Sequence, residues 1–188
     1  MTWYQLHSVE WKDCERCCLC SSRKQVVLGR GVVPCDILFI GEAPGESEDV
    51  IGEPFVGPAG KLLDQIIRQA LRRWPNLTYA MTNLVGCIPR DANGDKVGEP
   101  EMESIEACAP RLQDFTEIAH PRLIVCVGAL ARDWIKPGFA KSTILPSKAP
   151  SIDIIHPAAI LRANVAQKGL LIQRAVVTLT NAVEDYLL

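Results

Sequence analysis

Eight cysteines are the residues of this chain whose type and spacing first suggest chemistry. Cys14 and Cys17 form a CxxC, and Cys17-Cys18-Leu19-Cys20 contains a second that overlaps it, so Cys17 can serve only one of the two pairs. Cys87 and Cys108 lie downstream and would complete a four-thiolate site with the amino-terminal pair. Four thiolates suit a tetrahedral zinc ion or an iron–sulfur cluster. The long interval from Cys87 to Cys108 fits neither a compact zinc ribbon nor a ferredoxin run. Cys35 and Cys126 flank or sit within apolar stretches, where a free cysteine acts as a small hydrophobe. Cys18 and Cys20 stay open as spare ligands, buried thiols or alternatives to the preferred pair.

A second set of candidates, Glu42, Asn83 and His156, is defined by the elements that precede them. Asp36–Ile40 is a short apolar, β-favouring run ended by Gly41, and reads as a buried strand followed by a long Gly/Pro-rich loop. From Pro58 the apolar residues Leu62, Leu63, Ile66, Ile67, Ala70 and Leu71 recur on one helical face, until Trp74-Pro75 stops the pattern. Tyr79–Val85 is a second strand, and Pro100 opens a helix through Met102, Ile105, Leu112 and Phe115 with a kink expected at Pro110. Leu123–Val127 and Ser151–Ile155 are two further strands, and an apolar helix runs from about Gly169 towards Leu188. Strands alternating with helices predict an α/β fold: three α/β/α layers around a central, mostly parallel four-stranded sheet. Such sheets bind ligands beyond the carboxyl ends of their strands, which is where Glu42, Asn83 and His156 fall.

The length predicts one domain over residues 1–188, with no internal repeat or linker dividing it. Apolar stretches are too short for a membrane span, and the polar amino terminus lacks a signal-peptide core, so a cytoplasmic protein is expected. In that reducing compartment cysteines more often bind metal or catalyse than form disulfides. The net charge of −2 gives no global attraction for nucleic acid. Acidic residues predominate over residues 1–120 and basic ones over 121–188, which leaves room for a local basic face.

Six stretches in order, CERCCLCSSRKQVVLGRG (Cys14–Gly31), ILFIGEAPGESEDVIGEPFVGPAGKLLD (Ile37–Asp64), TNLVGCIP (Thr82–Pro89), EACAPRL (Glu106–Leu112), LIVCVGALA (Leu123–Ala131) and HPAAILR (His156–Arg162), resemble the family 4 uracil-DNA glycosylases. These are the iron–sulfur branch of the uracil-DNA glycosylase superfamily. The resemblance implies that Cys14, Cys17, Cys87 and Cys108 ligate a structural [4Fe–4S] cluster, and so selects Cys14/Cys17 from the overlapping pairs. It implies a monofunctional enzyme, acting as a monomer on DNA, that flips a base from the stack and hydrolyses its N-glycosidic bond, leaving an abasic site. Phe55 would stack on the flipped base, Asn83 would read its edge, and His156 would donate to O2 as charge accumulates there. Glu42 and Glu48 are the carboxylates carried over for catalysis, with Glu48 at the C5 edge. Leu161 and Arg162 match a loop that wedges the duplex and touches phosphates. The amides of Gly45, Gly57 and Gly60 are candidates for close phosphate approach, and Arg16, Arg23, Lys24 and Arg30 for a basic surface near the first ligands.

The chain departs from the family text after Cys87, where it reads Ile88-Pro89-Arg90-Asp91-Ala92-Asn93-Gly94 in place of a CRPP-x-N-R continuation, and the loop to Cys108 is longer. Substrate contacts are therefore not carried over from that loop. Residues Phe139–Pro150 also look shortened, and no basic insertion with a histidine nucleophile is visible, which disfavours covalent capture. The altered loops motivate an alternative: the same chemistry on a C5-modified pyrimidine of phage DNA, in a defensive role. A third reading is a DNA-binding relative without catalysis, against which the intact Glu42, Phe55, Asn83 and His156 argue.

Overall fold

The computed structural model describes residues 2–91, 97–136, 138, 145 and 148–188. The divergent Ala92–Gly94 and most of the shortened stretch 139–150 lie outside the described residues. The elements follow the chain as α1 (Trp3–Trp11), β1 (Arg30–Gly31), β2 (Ile37–Gly41), α2 (Glu46–Ile51), α3 (Pro58–Ala70), β3 (Tyr79–Asn83), α4 (Met102–Ala119), β4 (Leu123–Val127), α5 (Ala129–Ile135), β5 (Ser151–Ile154), α6 (Pro157–Arg162) and α7 (Val165–Tyr186). A short 3-10 turn covers Cys18–Ser21.

The sheet order is β1-β3-β2-β4-β5. The four expected strands are the parallel core, in register from Ile37↔Tyr79 and Ile37↔Leu123 on either side of β2. The difference from expectation is a fifth strand, the two-residue β1, antiparallel to the outer edge of β3. Its Arg-Gly pair lacks the apolar run that marks the other strands.

Alternation along each strand splits the core into two layers. Leu38 and Ile40 of β2 and Ile124 and Cys126 of β4 face one side, packed with Leu112, Phe115, Ala131 and Trp134 of α4 and α5. Ile37, Phe39, Leu123, Val125 and Val127 face the other, against Leu63, Ile66 and Ile67 of α3 and Leu179 and Val183 of α7. Every residue of β2 and β4 is buried, which is why both read as unbroken apolar runs. Pro110 lies inside α4, eight residues into the helix that Pro100 was expected to open. Cys35 and Cys126 are core thiols, and burial pushes them up to about 11 and about 12. Among the described residues no helix is long and apolar enough to cross a membrane.

On α1, His7 is 2% exposed and its Nε2–H donates to the Arg111 carbonyl at 3.2 Å. Burial, partly offset by that hydrogen bond, holds the ring down to about 4 from an ordinary 6.5. Well above pH 6.5 it is neutral whether the chain is folded or not, and contributes no pH dependence. As pH falls from 6.5 towards 4 the unfolded chain takes up a proton that the folded chain refuses. Stability should therefore drop by about 3 kcal/mol across that window. Urea unfolding between pH 7 and 4 is expected to show this loss, and His7→Gln to remove most of the slope.

Candidate active site

The loops leaving β2, β3 and β5 at their carboxyl ends meet around a cavity of about 470 Å³. Glu42, Glu48, Phe55, Gly60, Asn83, His156 and Arg162 all line it, so residues scattered over more than a hundred positions in sequence converge. The chain moves from β2 to β3 on one side and then to β4 on the other, so β2 flanks the switch in strand order that opens such a crevice.

Phe55 is a non-glycine residue in the left-handed region, with φ 57°, and is 7% exposed. Such a backbone costs on the order of 1–3 kcal/mol and persists only where its surroundings hold it. Arg30 supplies one restraint: Nε donates to the Pro54 carbonyl at 2.8 Å, Nη2 to the Phe55 carbonyl at 3.2 Å, and the same guanidinium pairs with Asp64 at 2.8 Å. Glu48 supplies another. Its Oε1 accepts from the amides of Val56 (2.9 Å) and Gly57 (2.7 Å), and its Oε2 from Gly45 (3.1 Å). Glu48 thus braces the Phe55 loop from the cavity wall, and the amides of Gly45 and Gly57 donate to it.

Glycine is required beneath this loop at two positions. A Cβ on Gly60 would run into the Phe55 carbonyl. A Cβ on Gly41 would collide with the Phe55 ring and stand 2.5 Å from Asn83 Oδ1. Gly41→Ala should thus displace the ring, the carboxamide or both, lowering stability by about 1–3 kcal/mol. Melting curves and steady-state kinetics check it; a raised KM, which loss of folded protein does not by itself produce, is the expected result.

His156 precedes α6 and caps it, its Nδ1 accepting from the Ala158 amide at 3.1 Å. That bond fixes the tautomer of the neutral ring with its proton on Nε2, a donor that has no hydrogen-bond partner among the described residues. Burial, and secondarily the positive charge of Arg162, lower its pKa, so the ring is neutral at pH 7. Glu42 differs from Glu48: among the described residues its carboxyl has no hydrogen-bond partner, and burial followed by repulsion from Glu99 raises its pKa against the pull of Arg162. Leu161 is 40% exposed on α6 beside Arg162.

Asn83 ends β3 with 4% exposure, and its backbone carbonyl is held by Arg111. Arg111 also donates through Nε to Cys108 Sγ at 3.2 Å, and the Gly86 amide reaches the same sulfur at 3.3 Å. Arg23 Nη1 lies 3.7 Å from Cys87 Sγ. Burial raises the Cys87 thiol to about 12, and the negative charges of Cys108 and Cys17 add to this against the opposing pull of Arg23. Cys17 is raised in the same way, by burial first and then by Cys108 and Cys18. Cys14, Cys17 and Cys108 pack against the core cluster that includes Cys87. Among the described residues no three side chains converge tightly on one ion position. Cys18 is exposed, 3.7 Å from the Ser104 hydroxyl.

The sequence profile of the Uracil DNA glycosylase superfamily matches residues 28–180. The chain belongs to the uracil-DNA glycosylase superfamily. The Type-4 uracil-DNA glycosylase of Saccharolobus solfataricus is 41% identical over 126 residues, 67% of this chain and 56% of that protein, so the chain spans little more than half that relative's length. The Type-4 uracil-DNA glycosylase of Pyrobaculum aerophilum is 33% identical over 166 residues, covering 80% of this chain and 81% of its own. The crystal structure of wild-type SMUG2 from Pedobacter heparinus overlays with a TM-score of 0.59 at 14% identity, covering 81% of this chain and 77% of that one, which supports the fold alone.

Several residues of this superfamily member were not singled out from sequence. Val97, Gly98 and Glu99 line the cavity although they follow the divergent stretch after Cys87; the antiparallel bridge Arg90↔Val97 and the Gly98 amide on the Pro89 carbonyl bring them back. Arg111, not singled out, and Arg30, expected only as part of a basic surface, act through main-chain carbonyls, a kind of contact that leaves no spacing to read.

Proposed function

We propose that this chain is a monofunctional DNA glycosylase that hydrolyses the N-glycosidic bond of uracil in DNA. The observation that carries the reading is the single cavity into which Glu42, Phe55, Asn83 and His156 converge, with the neutral His156 ring free to donate from Nε2. Phe55 stacks on the extrahelical base, and its restrained loop spares part of the ordering cost. Asn83 accepts from N3–H and donates to O4, a pattern that cytosine cannot reciprocate. As the bond from N1 to C1′ breaks, its electron pair stays with the base, and His156 Nε2–H stabilises the charge gathering on O2. Glu42, without a hydrogen-bond partner among the described residues and made more basic by burial, holds the attacking water, takes its proton as the oxygen bonds to C1′, and faces the cation-like sugar. Leu161 and Arg162 meet the duplex at the mouth of the cavity, and the buried Gly60 lets the Phe55 loop close.

Cys14, Cys17, Cys87 and Cys108 fit a [4Fe–4S] cluster. The sulfurs of Cys87 and Cys108 receive cationic and main-chain N–H donors suited to thiolates, and Cys14 and Cys17 pack against the same core cluster. Bound there, the cluster supplies a covalent anchor for the segments around it and no redox step in the hydrolysis. A uracil-containing duplex incubated with the iron-loaded protein, then heated in alkali, should be cut at the uracil position. Parallel duplexes with hypoxanthine or C5-substituted pyrimidines separate the uracil enzyme from a modified-base enzyme. Binding without release of any base would defeat the glycosylase reading.

A further inference from the structure

Arg111 is 1% exposed on α4, one turn beyond Cys108. A guanidinium has five N–H donors, and here each has an acceptor. Nε points to Cys108 Sγ (3.2 Å), Nη1 to the Leu28 carbonyl (3.2 Å) and the Thr82 hydroxyl (3.1 Å), and Nη2 to the carbonyls of Asn83 and Leu84, the latter at 3.2 Å. None of these partners is a carboxylate, and among the described residues Arg111 belongs to no ion pair with Asp or Glu. Burying a cation without a counter-charge is strongly unfavourable. The anion in contact with Arg111 is the Cys108 sulfur once it is a thiolate.

We propose that Arg111 is a positioning residue that couples the cysteine site to base recognition, binding the Cys108 thiolate with one edge and the Asn83 end of β3 with the other. This rests on the glycosylase and cluster reading above. A thiolate held as a cluster ligand neutralises the guanidinium and fixes its plane. The plane in turn fixes the carbonyls of Asn83 and Leu84, and with them the starting point of the Asn83 carboxamide. A Cβ on Gly86 would stand 3.2 Å from Arg111 Cδ, so the side chain has little room to settle elsewhere. Lysine cannot substitute, because an ammonium lacks the planar fork that reaches both sides at once.

The test compares the iron-loaded wild-type protein with Arg111→Met, corrected for iron content. Two results are expected together: a fall of about tenfold or more in the rate of uracil release and a cluster reduction potential shifted to more negative values, as a cation and an N–H···S bond are lost. A loaded Arg111→Met protein that releases uracil at the wild-type rate overturns the proposal, whatever its melting temperature. A slowed protein with an unchanged potential places Arg111 on β3 alone and overturns it too. Should Arg111→Met not fold, Arg111→Lys decides by the same pair of readouts: a rate per loaded iron lowered by about tenfold together with a shifted cluster potential supports the coupling, and a wild-type rate or an unchanged potential overturns it. Absence of uracil release by the wild type would instead count against the glycosylase reading, and the potential would still report on the Arg111 contact.

Discussion

His156→Ala should slow uracil release by about 10²–10³-fold in kcat while leaving DNA affinity nearly unchanged. The donor acts where charge appears as the bond breaks, so its loss is felt in the transition state far more than in the bound ground state. The ring also caps α6 through Nδ1, and removing it should cost about 1 kcal/mol of stability. Melting temperature therefore separates the two roles: a variant that melts only slightly earlier yet has lost most of its turnover has lost the donor. Because burial and Arg162 depress the His156 pKa, the wild-type ring is predominantly neutral at pH 7. Activity attributable to this donor should accordingly show no fall as pH is lowered from 8 to 7. Retention of wild-type kcat in the alanine variant would remove His156 from the chemistry.

Asn83→Asp should reduce uracil excision by about 10³-fold or more, the scale at which a site built to hydrogen-bond a polar group rejects a mismatch. An ionised carboxylate can still accept from N3–H but meets O4 with a lone pair where the amide offered a proton. The side chain is 4% exposed and shares the cavity with Glu42 and Glu99, so the added charge is poorly solvated and repelled. Toward cytosine the effect reverses in sign, since the exocyclic amine donates to a carboxylate. The ratio of uracil to cytosine release, measured on matched duplexes, should narrow even as both rates stay low. An unaltered ratio would mean that Asn83 does not read the base edge.

The strands were legible because β2 and β4 are buried on both faces and write continuous apolar runs, and α3 because one face carries all its large apolar residues. Shorter elements were not. The six-residue α2 lies in what reads as a Gly/Pro-rich loop, and α6 is only two turns long, too short for periodicity to register. The final helix begins at Val165, four residues before Gly169, since Asn164 caps it by accepting from the Gln167 amide. At the site, the rule of strand ends placed Glu42, Asn83 and His156 together. It could not distinguish Glu42 from Glu48, because the difference lies in which main-chain amides each carboxylate meets. Arg111 was invisible for the same reason: a buried arginine on an amphipathic helix looks like a solvated charge until its neighbours are known.

The two-residue strand β1 bears on how the molecule behaves among copies of itself. β3 would otherwise be the outer edge of a parallel sheet, with a row of amides and carbonyls open to any extended chain. Arg30 and Gly31 occupy that row opposite Met81 and Ala80, and the Val32 amide takes the Tyr79 carbonyl at 3.0 Å. A Cβ on Gly31, at φ 111°, would collide with the Tyr79 carbonyl, so the closure depends on glycine there. A substitution at Gly31 would reopen the β3 edge, and with it a route to strand-by-strand aggregation that the native sequence closes with two residues.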